Sequence, residues 1–337
     1  MLKFSSLEGR VMEAVNHFKN SAMEADTISK HGRKSKGQTS RNNFLGIACF
    51  AVLLAAVALM GCGGGSGGGG SAKIKMTRED DGYVGFDLYG SGVATVDWGD
   101  GSEKVTLTLN EKGVRFEYSY PNATIRTISV NGDDITELRC YKQELTSLDV
   151  SKNKALTKLE CYSNQFTSLD VSKNKALTRL GCYSNQLTSL DVSKNTVLTE
   201  LSCYGNQLTS LDVSKNTALT KLDCYGNQLM SLDVSKNTAL TKLDCGGNQL
   251  TSLDVSKNTA MTELSCSSNQ LTNLDVSQNT ALAILSCYGN QLTAVALNAL
   301  FSTLHSNPGK SIEINNNPGT DTCDKSIAER KGWKLYY

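Results

Sequence analysis

Leu156-Thr157-Lys158-Leu159-Glu160-Cys161-Tyr162-Ser163-Asn164-Gln165-Phe166-Thr167-Ser168-Leu169-Asp170-Val171-Ser172-Lys173-Asn174-Lys175-Ala176 is one copy of a unit that repeats without insertion. Cysteines mark it at a constant interval of 21 residues: Cys140, Cys161, Cys182, Cys203, Cys224, Cys245, Cys266 and Cys287. A fixed period of this size belongs to a solenoid, in which one small supersecondary unit stacks on the next to build a continuous core. Each unit has two halves, L-T-x-L-x-C-x-x-N-Q and L-T-S-L-D-V-S-K-N-T-A, and both alternate apolar with polar positions. Alternation sends Leu159 with Cys161, and Leu169 with Val171, to the inside. Neither half carries ten uninterrupted residues of helical period, and residues 135–306 contain no proline. Each coil is therefore expected to be one strand plus an extended or turn-like return, without a helix. At the strand spacing of about 4.8 Å, eight coils make a rod of roughly 40 Å.

The pattern LxxLxCxxNxL resembles the leucine-rich repeat. The echo LxxLDVxxN in the second half is similar to the nested 21-residue class found in bacterial proteins. The resemblance spans residues 135–292 and implies a leucine-rich-repeat solenoid. Coil one departs from it, with Gln143 at the asparagine position and Ile135 at the leading leucine, as suits an entry coil. Asn164, Asn185, Asn206, Asn227, Asn248, Asn269 and Asn290 form one column. A stacked amide offers two donors and an acceptor, enough to bond the backbone groups that a tight corner leaves unpaired. A second column, Asn153 to Asn279, is expected to do the same at the opposite corner, with more solvent because Ser, Lys and Thr flank it. The cysteines sit where the repeat has an aliphatic residue. Their parallel, evenly spaced Cβ vectors do not suit a disulfide, which draws Cβ atoms to about 3.8 Å. They read as core filler rather than as a metal ladder or redox site.

Two surfaces remain. Asp149, Asp170, Asp191, Asp212, Asp233, Asp254 and Asp275 form an acidic column with lysines three residues on, read as mutually neutralised on a solvated face. The first half-turn varies instead. Its outward positions include Lys158, Glu160, Arg179, Gly181, Glu200, Ser202, Lys221, Asp223, Lys242, Asp244 and Gly246. Beside them runs a stripe of Tyr141, Tyr162, Tyr183, Tyr204 and Tyr225, broken at Gly246 and Ser267 and resumed at Tyr288. Exposed tyrosines on a rigid sheet add contact area at low entropic cost and suit a protein or glycan ligand. The other reading is that the rings only stack to cover the sheet.

Residues 73–134 alternate apolar and polar types between Gly, Asn and Asp turns, which reads as a small antiparallel β-sandwich. Val96-Asp97-Trp98-Gly99-Asp100-Gly101-Ser102 and Tyr118-Ser119-Tyr120-Pro121 resemble the WGDG and YxYP signatures of PKD-like domains. That resemblance implies a spacer or adhesion module, with Trp98 and Tyr120 in the core and Asp97 and Asp100 forming turns. Calcium at the two carboxylates is the alternative.

Residues 30–41 are basic and residues 44–60 apolar, the order of a secretory signal. The run is also just long enough for an uncleaved anchor. Leu59-Met60-Gly61-Cys62 resembles the lipobox of bacterial lipoproteins, which implies a lipid on Cys62 and a protein anchored to a membrane rather than spanning it. Residues 1–61 thus read as a leader, with Met12 or Met23 as alternative starts, and residues 62–72 as a flexible Gly/Ser linker. Gly63 follows the cysteine, which implies the outer membrane. The acidic export tag of some Bacteroidetes surface lipoproteins is missing, so surface exposure stays open.

At the other end, Leu297, Leu300, Phe301 and Leu304 fall at helical spacing within 294–305. A strand is expected at 311–315, a second helix near 321–331 and a last strand at 333–337. Residues 293–337 would form an α/β cap that closes the solenoid, with His305 capping a helix end and Cys323 buried.

The net charge of +1 hides an imbalance, since residues 1–61 hold eight Lys/Arg and four Asp/Glu and leave 1 − 4 = −3 for the rest. That lacks the basic footprint of a nucleic-acid binder. His305 is the one histidine beyond the leader, which removes His-based metal and Ser-His or Cys-His chemistry from the folded part. No cofactor and no metal are expected. The whole resembles a Bacteroidetes-like leucine-rich-repeat surface lipoprotein. The expected function is non-enzymatic binding or adhesion by a monomer at the cell envelope, with a structural spacer as the alternative.

Overall fold

The computed structural model describes residues 72–337 except Pro308, so the leader and Cys62 lie outside the described residues. The chain is mainly β. Six strands come first: β1 (Ile74–Arg78), β2 (Gly82–Asp97), β3 (Val105–Thr108), β4 (Val114–Tyr120), β5 (Arg126–Arg139) and β6 (Leu145–Asp149). Seven three-residue strands follow at the 21-residue period: β7 (Lys158–Glu160), β8 (Arg179–Gly181), β9 (Glu200–Ser202), β10 (Lys221–Asp223), β11 (Lys242–Asp244), β12 (Glu263–Ser265) and β13 (Ile284–Ser286). The end is α1 (Ala294–Thr303), β14 (Lys310–Glu313), α2 (Ser326–Glu329) and β15 (Trp333–Tyr336). From Glu137–Arg139 of β5 through β7–β13 to β15, the rungs pair in parallel and in register.

β5 joins the two parts. It pairs with β2 along most of its length, with β1 over Arg126–Val130 and with β7 over Glu137–Arg139. The expected boundary between residues 134 and 135 thus falls inside one strand, and the strands of 73–134 belong to the same hydrogen-bonded sheet as the solenoid. Within that sheet β2 bends. Its register slips on both sides of Gly90-Ser91. Gly90 has φ +151°, and a Cβ there would lie 1.9 Å from the Asp134 carbonyl, so only glycine fits. The bend brings Phe86 and Trp98, twelve positions apart, to 5.9 Å between ring centroids. Phe116 stacks on Phe86 at 5.8 Å, and the Tyr120 hydroxyl donates to the Trp98 carbonyl at 2.6 Å. Asp97 and Asp100 close turns by accepting from the Gly99 and Ser102 amides, and Lys104 lies 3.2 Å from Asp97.

Inside the solenoid every coil repeats the same packing. Leu159, Cys161 and Val171 are fully buried and Leu169 nearly so, as are their equivalents along the rod. All nine described cysteines are free. The residue before each corner asparagine takes a left-handed conformation, which suits glycine: Ser163, Ser184 and Ser268 have φ near +50°, Gly205, Gly226 and Gly289 near +60°.

Three polar ladders hold the corners. Asn185 Nδ2 donates to the Cys161 and Cys182 carbonyls at 3.2 and 3.0 Å, while its Oδ1 accepts from Phe166 N at 3.1 Å. The same set recurs at Asn206, Asn227, Asn248, Asn269 and Asn290. The second asparagine column corrects the sequence expectation: Asn174, Asn195, Asn216, Asn237 and Asn258 are 0% exposed, against 6–8% for Asn185 to Asn269. Each donates Nδ2 to the preceding coil, as Asn195 does to the Val171 and Asn174 carbonyls at 3.0 and 2.8 Å. The flanking Ser and Lys point away from a corner whose asparagine points in. A third ladder is absent from the sequence reading: Thr157, Thr178, Thr199, Thr220, Thr241 and Thr262 each donate Oγ1 to the threonine carbonyl one coil back.

Gln143 explains the departure in coil one. Its Oε1 accepts from Gly85 N at 2.7 Å and ties the entry coil to β2. In the cap, β14 begins one residue earlier than expected and α2 is a single turn. His305 does not cap a helix. Its Nε2 donates to the Leu282 carbonyl of the last coil at 2.7 Å, and Lys331 Nζ takes the terminal carbonyls of Ser302 and Leu304 instead.

Candidate functional site

The outward side of the short strands carries three columns. Along the first, opposite charges pair between rungs. Lys158 reaches Glu137 at 3.8 Å, Arg179 contacts Glu160 at 2.6 Å and Glu200 at 3.0 Å, Lys221 contacts Glu200 at 2.9 Å, and Lys242 contacts Glu263 at 2.6 Å. Exposed pairs of this kind contribute little stability, on the order of 0–1 kcal/mol each. They do fix long side chains in defined places. Two positions read as outward, Gly181 and Gly246, are buried instead. Gly181 lies under Glu160, where a Cβ would stand 2.1 Å from Oε2, so its lack of a side chain lets Glu160 fold across to Arg179.

The second column runs from Glu160 through Ser202, Asp223 and Asp244 to Ser265. Asp223 and Asp244 lie in register on β10 and β11. The lysines of their own strands are turned to Glu200 and Glu263. Each aspartate accepts from the amide two residues on, Tyr225 N at 3.2 Å and Gly246 N at 3.0 Å, and Ser202 Oγ stands 3.5 Å from Asp223. Burial between rungs, and then repulsion from Asp244, push the Asp223 carboxyl up to about 8. An unfolded aspartate ionises near 4, so between about pH 4 and 8 the unfolded chain has released a proton that the folded chain retains. Stability therefore falls as pH rises through that window. Asp244→Asn removes the repelling charge. The urea midpoint at pH 8 is expected to rise by the equivalent of about 1 kcal/mol, with little change at pH 4. Identical midpoints for parent and variant at pH 8 would contradict this.

The third column is aromatic. Tyr141, Tyr162, Tyr183 and Tyr204 stack face to face, with centroids 4.6, 4.1 and 4.3 Å apart and interplanar angles of 2–13°. Burial within this stack raises the Tyr162 and Tyr183 hydroxyls above the ordinary tyrosine value. Tyr225 lies over the break: a Cβ on Gly246 would meet its ring at 3.0 Å, and one on Gly247 at 3.3 Å. Gly246 and Ser267 are buried, so the interruption makes room for the preceding ring. Tyr288 resumes the column, half-buried. The structure thus brings Lys158, Arg179, Lys221, Asp223 and Tyr141 to Tyr225 onto one strip.

The acidic column on the other half-turn is built differently. Each carboxylate accepts the serine amide two residues on, as Asp191 does from Ser193 N at 2.8 Å; for Asp191 this bond is the first cause of a lowered pKa. The Lys194 charge adds to the same shift. Among the described residues no group of three or more His, Cys, Asp or Glu is placed to hold a metal ion.

No protein-family model matches the chain, and no curated protein matches it. Solved structures do resemble it. The functional domain of InlJ from Listeria monocytogenes, described as including a cysteine ladder, is 37% identical over 64% of this chain and 51% of its own length, with a TM-score of 0.47. A leucine-rich-repeat protein of Leptospira interrogans is 22% identical over 60% of this chain and 66% of its own, with a TM-score of 0.46. An internalin, InlF, of Listeria monocytogenes is 17% identical over 60% of this chain and 87% of its own, at 0.36. The chain spans about half of the first and two thirds of the second. By its own parallel ladder, buried leucines and asparagine corners, the repeat region of 135–292 is a leucine-rich-repeat solenoid.

Proposed function

We propose that this is a non-enzymatic binding or adhesion protein that recognises a protein or glycan through the outward face of its strands. Lys158, Arg179, Lys221, Asp223, Tyr141, Tyr162, Tyr183, Tyr204, Tyr225 and Tyr288 are its contact residues. One observation carries the reading: the strip has a charge pattern and a tyrosine stack whose side chains are already held by ion pairs and ring contacts. Little rotamer freedom is left to lose on binding, which favours affinity. A lipid on Cys62 would hold the protein at the cell envelope, in the outer membrane, and the PKD-like region would serve as a spacer or adhesion module.

The stack itself supports a second reading, a surface spacer whose rings only shield the sheet. Replacing Tyr162, Tyr183, Tyr204 and Tyr225 together with serine separates the two. Pull-downs with full-length parent and variant against bacterial and host surface material should show the parent retaining a ligand that the folded variant loses at least tenfold. Equal capture by both leaves the spacer. Metabolic labelling with palmitate tests the anchor, and a chain that takes up no label is not lipidated.

A further inference from the structure

His305 sits where the cap meets the last coil, and its bonds fix its protonation. Asn307 N–H points at Nδ1 from 3.2 Å, so Nδ1 is an acceptor and Nε2 carries the proton that goes to the Leu282 carbonyl at 2.7 Å. A second donor also faces Nδ1, the Lys310 ammonium at 3.3 Å. Lys310 is 5% exposed; its Nζ donates to the carbonyls of His305 at 2.8 Å and Lys331 at 3.3 Å and lies 5.1 Å from the Trp333 ring centroid. Trp333 Nε1 donates to the same His305 carbonyl at 2.9 Å, and its ring packs edge-on to the imidazole at 5.5 Å. From the last coil, the Leu282 and Thr280 carbonyls face this loop, the latter bonded by Asn307 Nδ2 at 3.0 Å. The charges acting on the ring are Lys310 and Lys331, both positive.

We propose that His305 is an acid-released latch for the C-terminal cap. A proton added at Nδ1 turns the acceptor into a donor that faces an N–H and an ammonium. Asn307 and Lys310 must then leave the ring; Asn307 draws its Nδ2 off the Thr280 carbonyl of the last coil, and the start of β14, which begins at Lys310, loosens while the Leu282 bond persists. Burial, together with Lys310 and Lys331, already holds the imidazole below its ordinary value. The unfolded or opened chain therefore binds the proton first, and closure weakens as pH falls below about 6.5.

Hydrogen exchange of the full chain, corrected for the intrinsic pH effect, tests this. Between pH 7.5 and pH 5.0, protection of Lys310–Glu313 is expected to fall roughly tenfold, while protection of the central coils stays level. His305→Gln keeps one donor and one acceptor but has no proton to gain, and should hold the same protection at both pH values. The ring's NMR titration, assigned by the signal that His305→Gln removes, should have its midpoint below 6.5, and protection should fall between about 6.5 and that midpoint. The proposal is overturned if parent protection does not change, if the glutamine variant loses as much at pH 5.0 as the parent, or if the ring titrates at 6.5 or above. Should the glutamine variant be unprotected at pH 7.5 as well, the parent's protection profile and ring midpoint decide alone.

Discussion

Asn206→Ala is expected to lower the stability of the solenoid by about 2–4 kcal/mol. The side chain bonds the Cys182 and Cys203 carbonyls at 3.2 and 3.0 Å and accepts from Leu187 N at 3.0 Å. It is 7% exposed, so water cannot replace it without opening the corner. Truncation strands the buried Leu187 amide, at a cost of about 1–3 kcal/mol, and leaves the Cys182 and Cys203 carbonyls with one amide donor each, from Asn185 and Asn227. Because the bonds cross from coil to coil, the loss falls on an interface that solenoid stability depends on. Urea unfolding followed by circular dichroism measures it, with Asn273→Ala, an exposed asparagine in the same solenoid, as the control expected to stay within about 0.5 kcal/mol. Equal midpoints for the two variants would show that the corner amides do not hold the coils together.

The second large effect concerns the thiols. Burial pushes Cys182 and Cys266 up to about 12 from an ordinary 9.0. Thiolate is the species that reacts, so its fraction at pH 8 drops about a thousandfold, before any loss of access is counted. In a brief iodoacetamide pulse, peptides carrying Cys182 or Cys266 should stay unmodified in the native chain and become fully modified in urea. Substantial native labelling with unchanged circular dichroism would mean that the coils open readily. The sulfurs behave as small apolar groups with weak donors, as where Cys224 Sγ approaches the Asp244 carbonyl at 3.4 Å.

The period, the inward leucines and cysteines, and the first asparagine column were legible in the sequence because all are local and repeated eight times. Each copy restated the same packing rule. What was hidden depends on partners distant in the chain. Gln143 marks an entry coil in the sequence, but its partner, an amide 58 positions earlier, is visible only in the fold. Nothing near Asn195 announces that it is more buried than Asn206, since the neighbours that point outward set its apparent polarity. The left-handed corner accounts for Gly205, Gly226 and Gly289 only once φ is known. On the strip, the tyrosine column was readable by spacing, but Gly246 seemed an open gap until the lean of Tyr225 was visible. His305 was read from its own stretch, while its partner is Leu282, on the coil before.

The two ends of the solenoid are individual and its middle is not. β5 and Gln143 fit one edge, and the His305–Lys310 cluster fits the other. Between them, a cut after Lys194 rejoined at Asn216 would remove 21 residues and recreate the inward packing across the seam, because both sides already meet copies of the same leucines, cysteines and asparagines. Only the outward column changes, since Glu200 is lost and Arg179 then faces Lys221, so whole coils can be shed or gained at the cost of exposed charge pairs rather than of the core. Reach becomes an adjustable length between two fixed fittings, like a ladder whose rungs are interchangeable and whose feet are not.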